Sequence, residues 1–269
     1  MTPIVGRKQD ERSYGSSKLS EIEEKIKEWL KGPEEKEIPP LVLPYQEKLV
    51  AFIDILGVSD KVEKGGDDAA QIVDIMNKIR TYVDSECSSL DNEGRLNSLQ
   101  IGDGYFIMVD FDCVDEICKI LSAVQWQILV YSHMLLRGAL TAGKVAIGSE
   151  EEYFIGPAII EVLKLERENA IFPRIIVNNK EIEKYIEPED IKYKYIVEDQ
   201  DKIKYLDYIK YQVDNEKLTV EKLEEFLKKN EVNKTLKEAY EKYIGSNKRE
   251  AQKYGWLISK FATHGIKII

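Results

Sequence analysis

Along the chain, apolar residues recur at helical spacing, then in continuous runs, then at helical spacing again, and each change of period marks an element. Leu19, Ile22, Ile26, Trp29 and Leu30 predict a short helix over 18–31, stopped by Gly32-Pro33. Pro39, Pro40 and Pro44 predict a stiff, extended linker leading to KLVAFIDIL, whose apolar run from Leu49 to Leu56 predicts a central strand. Gly65-Gly66 breaks that pattern and Asp67 or Asp68 supplies a cap. Ile72, Ile75, Met76, Ile79, Tyr82 and Val83 then share one helix face. RLNSLQIGDGYFIMVDF holds two β-rich runs about a tight Gly-Asp-Gly, the composition of an antiparallel hairpin.

A second long helix is predicted from about Val114 to His133, apolar on most faces, and the small residues of LRGALTAGKVAIG suit a curved strand. Gly156-Pro157 opens a helix through about Ala170, Pro173 to Val177 reads as a strand, and YKYIVED with KIKYLDYIKY predicts a hairpin around Asp199 to Lys202. In the tail, Leu223, Phe226, Leu227, Leu236, Tyr240 and Tyr243 predict one helical segment, and Tyr254, Trp256, Leu257 and Phe261 another. The order of elements predicts an α+β sandwich with helices on one face of a mostly antiparallel sheet, a palm-like (ferredoxin-like) arrangement. Three segments are expected: an N-terminal helix and Pro-rich linker over 1–47, a core domain over 48–210, and a C-terminal helical extension over 211–269.

Composition narrows the function classes. A chain of 269 residues with 43% hydrophobic residues has enough apolar surface for a sizeable core, which excludes disorder throughout. A net charge of −10 argues against broad nucleic-acid binding and leaves room for a local cationic pocket for a nucleotide. The polar N-terminus lacks a signal-peptide core, and the apolar stretch from Ile117 to Leu136 is interrupted by Lys119, Gln125, Gln127 and His133. A buried helix is therefore expected there, with no membrane span. Cys87, Cys113 and Cys118 make no CxxC pair, which fits a reduced, cytoplasmic setting and no zinc framework. His133 and His264 have no partners at ligand spacing.

The candidate chemistry lies in carboxylates. Asp54 interrupts an apolar strand, where an ionised group loses hydration unless it caps the following turn, pairs with a cation or binds a metal. Asp103 sits in the hairpin Ile101-Gly102-Asp103-Gly104-Tyr105, which is expected to pair beside that strand and bring the two carboxylates to one point. Such a pair suits Mg²⁺ or Mn²⁺ bridging nucleotide phosphates. Gly57, Val58 and Ser59 follow Asp54 directly, as a phosphate-facing strand-to-helix turn or an ordinary tight turn.

These residues also carry a family resemblance. FIDILGVS (Phe52 to Ser59) resembles the FxDIxGFT motif of class III nucleotidyl cyclases, and LQIGDGYFIMV (Leu99 to Val109) resembles their KTIGDGYM hairpin. RGALTAGKVAIG (Arg137 to Gly148) is similar to RIGIHTGxVxAG, and GPAIIEVLKLE (Gly156 to Glu166) to GxxVNxAxRLE, so the resemblance covers roughly 48–178. It implies that 48–210 is a catalytic domain, that Asp54, Asp103 and the backbone carbonyl of Ile55 hold two divalent ions, and that the turn at Gly57 to Ser59 holds phosphates. It also implies a head-to-tail homodimer with composite sites, in which the helix after Gly156 reaches the partner's metals. The family's transition-state Asn and Arg fall on Ile160 and Lys164, which leaves an ammonium in place of a guanidinium. Its adenine-reading Lys and Asp fall on Leu99 and Tyr153. Strand alternation makes Arg95 and Asn97 companions of Leu99 as base readers, or ordinary surface residues.

FIDILG, RGAL, GPAIIEVLKLE, AIFPRIIV and QKYGWLISKF together resemble the bacterial Pycsar pyrimidine cyclases, although Leu163 stands where their helix signature has tyrosine. That implies conversion of CTP or UTP to cyclic CMP or cyclic UMP in antiphage defence, acting on a separate effector. Three rivals keep the fold: a purine (adenylate or guanylate) cyclase, an enzyme that joins nucleotides between molecules, and a catalytically silent nucleotide-sensing dimer. Arg174, Lys202 and Lys204 are set aside as an anchor and solvent-facing lysines.

Overall fold

The most apolar run of the chain forms the middle of the sheet. In the computed structural model, which describes residues 24, 44–86, 95–148, 153–215 and 219–268, β1 (Gln46–Ile55) lies antiparallel between β3 (Gly104–Val109) and β4 (Leu136–Ile147). The predicted helix over 18–31, apart from Glu24, lies outside the described residues, as do Pro39, Pro40 and Cys87. Pro44 to Ile269 forms one compact unit.

The strand order is β2-β3-β1-β4-β6-β8-β7, where β2 is Leu96–Ile101, β6 Ile175–Val177, β7 Ile196–Glu198 and β8 Lys204–Leu206. A two-residue β5 (Phe154–Ile155) pairs with the end of β4, and β4–β6 is the parallel pair among the described strands. This is a mixed α+β fold with a mostly antiparallel sheet.

Lys48 to Ala51 of β1 are buried consecutively, and a strand apolar on both faces needs cover on both. Leu49, Ala51 and Ile53 face α2 (Gly66–Glu86) and α3 (Val114–Ser132), meeting Ile72, Ile75, Ile117 and Leu121. Val50, Met108, Ala139 and Val145 face α4 (Pro157–Asn169), meeting Ala158, Ile159 and Val162. The expected one-sided sandwich is thus corrected: helices cover both faces, because side chains along β1 alternate between two buried layers.

Other differences have local causes. The chain after Gly57 continues into a short helix, α1 (Val58–Lys64), and Asn178 caps another, α5 (Asn179–Ile182). The expected second hairpin exists as β7–β8, but its last residues are α6 (Tyr208–Asn215), where the Asp207 carboxylate accepts from the Lys210 amide and Tyr208, Ile209 and Gln212 face inward. The single segment expected after 220 is two helices, α7 (Val220–Lys229) and α8 (Val232–Ile244), separated where Glu231 takes φ +57. α9 (Lys248–Thr263) joins them in a layer packed on the back of α3, built from Leu223, Leu227, Leu236, Leu257 and Phe261 against Trp126 and Leu129. No described helix is long and apolar enough to cross a membrane.

Candidate active site

Register fixes the site. Asp54, next to last in β1, stands opposite Gly104 in β3 and Arg137 in β4. By alternation it shares the face of Val50 and Phe52, the one covered by α4. The Gly102-Asp103 turn between β2 and β3 ends beside it, with Gly102 at φ +62. Both members of the predicted carboxylate pair therefore meet at one end of the sheet, and they feel each other. Burial raises the Asp54 carboxyl above the usual carboxylate range, Arg137 opposes this, and the Asp103 charge raises it further.

Arg137 organises the rest. Its Nε–H and Nη2–H both donate to Asp54 Oδ2 at 3.1 Å, and its Nε lies 2.6 Å from Glu166 Oε1. Glu166 is only 6% exposed because α4 lays Ala158, Val162 and Glu166 along its inner face. Burial raises the Glu166 carboxyl too, with Arg137 opposing and Asp54 and Asp103 adding to the rise. Two carboxylates thus share one guanidinium, and the Asp103 charge acts on both. Neither Arg137 nor Glu166 was singled out by the sequence reading. The available signal was an arginine opening an apolar strand that pairs with the strand of Asp54.

Backbone proximity tightens this corner. The Gly138 amide donates to the Arg174 carbonyl at 3.1 Å, and a β-carbon at Gly138 would stand 2.4 Å from the Phe52 carbonyl oxygen. Glycine there lets β4 lie close along β1 immediately after Arg137.

The other predicted residues divide. Ile55 is buried in the core, so only its backbone can face a ligand, and the same holds for Val58. Gly57, at φ +82, turns the chain out of β1, and Ser59 is exposed beyond it. Leu99 lies opposite Phe106, in the cluster that includes Phe154, and Tyr153 precedes that phenylalanine and packs on Gly148. Leu99 packs in that cluster, with Asn97 one alternation further along β2, while Tyr153 is exposed beside Gly148.

Arg95 does not join them. It is paired with Asp110 at 3.6 Å, with Asp112, and with Cys113 Sγ at 2.8 Å, beyond the end of β2 remote from the Asp103 turn. Its place as a base reader beside Asp103 is corrected, because alternation assigns a face but not a position along it, and β2 puts roughly 20 Å between the two. Lys164 is exposed on the outer side of α4 together with Ile160, which is 69% exposed, and Leu163. Within one chain this stripe faces away from the side that carries Glu166.

The residues set aside lie elsewhere. Arg174 is fully buried between Asp199, at 2.6 Å, and Asp201. Lys202 and Lys204 pair with Glu198 and Glu183, and the two histidines contact Asn230 and Asp207. Cys113 and Cys118 are free thiols, buried, and burial pushes that of Cys113 up to about 11.

A divalent cation fits the donor set. Among the described residues no group of three or more His, Cys, Asp or Glu is arranged to hold a metal; Asp54 and Asp103 offer two carboxylates, the hard oxygen donors that Mg²⁺ and Mn²⁺ favour. Asp54 and Asp103 raise each other's neighbourhood in negative charge, and both Arg137 hydrogen bonds end on the same oxygen of Asp54.

No family model matches the chain, and no curated protein matches it significantly. Among solved structures it is similar to a bacterial light-regulated adenylyl cyclase, at 17% identity over 75% of this chain and 67% of that one, with a TM-score of 0.45. It is also similar to the guanylyl cyclase domain of the RhoGC fusion protein from the aquatic fungus Blastocladiella emersonii, at 18% identity over 60% and 94%, with a TM-score of 0.46. A third is the adenylyl cyclase CyaB from P. aeruginosa, at 15% identity over 53% and 83%, with a TM-score of 0.42.

Proposed function

We propose that the chain is a divalent-metal-dependent nucleotidyl cyclase that converts CTP or UTP to the 3′,5′-cyclic monophosphate and pyrophosphate, as a messenger synthase of the Pycsar type acting on a separate effector. The observation that carries the cyclase reading is the meeting of Asp54 and Asp103 at the end of β1 beside a single guanidinium. Asp54, Asp103 and the Ile55 carbonyl would hold the cation, which would supply Lewis-acid activation of the ribose 3′-hydroxyl and neutralise phosphate charge. Two such ions, Mn²⁺ or Mg²⁺, are the expected complement.

The chain's own residues do the rest. Asp54 and Asp103 fix the nucleotide end of the sheet, and Arg137 keeps a permanent positive charge beside the triphosphate. The backbone amides of Gly57, Val58 and Ser59 face the phosphates. The 3′-oxygen attacks the α-phosphorus, its proton passes to solvent, and the bond to the β-phosphate oxygen breaks to release pyrophosphate. Lys164 reaches this centre from a second copy of the chain, since on its own subunit it lies on the outer side of α4. That makes the active form a head-to-tail homodimer. The pyrimidine assignment rests on the motif resemblance, with Leu99 and Asn97 on β2 and the exposed Tyr153 as the candidate base readers.

The test is incubation with each of ATP, GTP, CTP and UTP plus Mn²⁺ or Mg²⁺, with products resolved by mass. Cyclic CMP or cyclic UMP is expected. A cyclic purine refutes the base assignment alone, longer products favour intermolecular joining, and nucleotide binding without turnover favours a sensor.

A further inference from the structure

We propose that Glu166 is a positioning residue of the carboxylate site: it is the second acceptor that lets Arg137 release Asp54 when Asp54 takes a divalent cation. The inference rests on the metal-dependent reading above. Its basis is one guanidinium edge presented to two carboxylates. Arg137 gives both Nε–H and Nη2–H to Asp54 Oδ2, while Glu166 Oε1 lies nearer to the same Nε, at 2.6 Å, and receives no aligned hydrogen bond. An N–H can be shared between two acceptors only at the cost of alignment to each, and here it is aligned to Asp54 Oδ2 and not to Glu166 Oε1. Glu166 Oε1 is shielded from water, which leaves Arg137 as its available donor.

The arrangement is poised for exchange. A cation on Asp54 draws on the charge that now holds Arg137 and weakens that hold. A small rotation then aligns Nε–H with Glu166 Oε1, so the half-buried guanidinium passes from one carboxylate to the other without an unpaired stage. Without Glu166, loading Asp54 strands the guanidinium in a poorly hydrated corner, and that cost opposes metal binding. Glu166 does not move to perform this role, since Ala158 and Val162 fix the inner side of α4 against the sheet.

The probe is Mn²⁺ alone, titrated into the full chain while the free ion is followed by its paramagnetic resonance signal. The variants are Glu166→Ala and Glu166→Gln, each also in an Arg137→Met background, with thermal melts to check folding. Glu166→Ala is expected to weaken Mn²⁺ binding about tenfold. Glu166→Gln, which keeps an acceptor oxygen and loses the charge, should lose less, and it carries the test if the alanine variant does not fold. In the Arg137→Met background the same changes should cost little, because there is no guanidinium to accommodate. Unchanged Mn²⁺ affinity in both Glu166 variants, with Asp54→Asn abolishing binding, overturns the role of Glu166 and leaves the two-carboxylate site standing. An equal loss in both backgrounds overturns it too, as a plain charge effect. Binding that is absent in the parent protein, or indifferent to Asp54→Asn, overturns the metal reading and this inference with it.

Discussion

Two arginines on neighbouring strands sit in opposite electrostatic situations. Arg174, at the start of β6, is fully buried with Asp199 and Asp201, while Lys260 reaches Asp199 at 2.5 Å and the Trp256 indole N–H donates to it at 2.7 Å. Two cations face two carboxylates, and the rings of Phe172, Tyr205 and Trp256 stand about the guanidinium. Around Arg137, one guanidinium faces the two carboxylates of Asp54 and Glu166, with the Asp103 charge acting on both and Arg167 acting on Glu166. The first group is balanced about a fully buried guanidinium, with Asp201 at its exposed edge. The second leaves two carboxylates on one guanidinium at the end of the sheet, which is the charge pattern that the proposed cation would complete. A guanidinium–carboxylate contact alone distinguishes nothing; the local charge sum does.

Breaking the balanced group should have the largest effect. Asp199→Ala leaves Arg174 and Lys260 without their shared partner, and removing one member of a buried ion pair costs roughly 3–5 kcal/mol. Chemical denaturation should show that loss, with activity per folded molecule largely retained. A loss under about 1 kcal/mol would mean the group contributes little to stability.

Breaking the unbalanced group should do the reverse. Asp54→Asn is expected to lower cyclase turnover at least about 10²-fold while leaving the fold intact. Mixing it with Lys164→Ala should restore part of the activity, each variant supplying the half the other lacks. Inactive mixtures of subunits shown to exchange would sink the composite site.

The smallest effect sharpens the contrast through pH. Burial raises Asp54 and Glu166 in the folded protein, so their contribution to stability is complete below the ordinary values of 3.8 and 4.5 and is lost as pH rises through the raised ones. At Asp199, burial works against the charged form, but hydrogen bonds from Lys260 and Trp256 outweigh it and lower the carboxyl. Its contribution is present above the ordinary value and disappears as pH falls through the lowered one. Relative to the parent protein, the melting temperature of Asp54→Asn should therefore climb as pH rises above about 4, and that of Asp199→Asn should drop as pH rises towards about 4 from below. Parallel curves for the two variants would contradict the assigned directions.

Much of this was legible in the sequence because it is local. An aspartate in the apolar run of β1, and another between two glycines of a hairpin, announce themselves by being out of keeping with their surroundings. The paired strands and the long helices followed from periodicity. What stayed hidden depends on register and on which layer a helix joins. Arg137 and Asp54 are 83 positions apart, and only antiparallel pairing of β1 with β4 makes them neighbours. Glu166 needed α4 on the face opposite α2 and α3, which the one-sided sandwich did not anticipate. Arg95 shows the converse error: the right face of β2, but the wrong end.

The Arg174 group also has a consequence for the order in which the protein is made. Lys260, which completes the charge balance at Asp199, and Trp256, which adds a hydrogen bond to it, come far later in the chain, while the Arg174 carbonyl already takes the Gly138 amide beside Arg137. A nascent chain that has emerged only as far as β8 carries the strands of the site, yet lacks the groups that settle the arginine buried beside them. The strand next to Arg137 therefore gains its full support late in synthesis, and partial products end before the corner is secured.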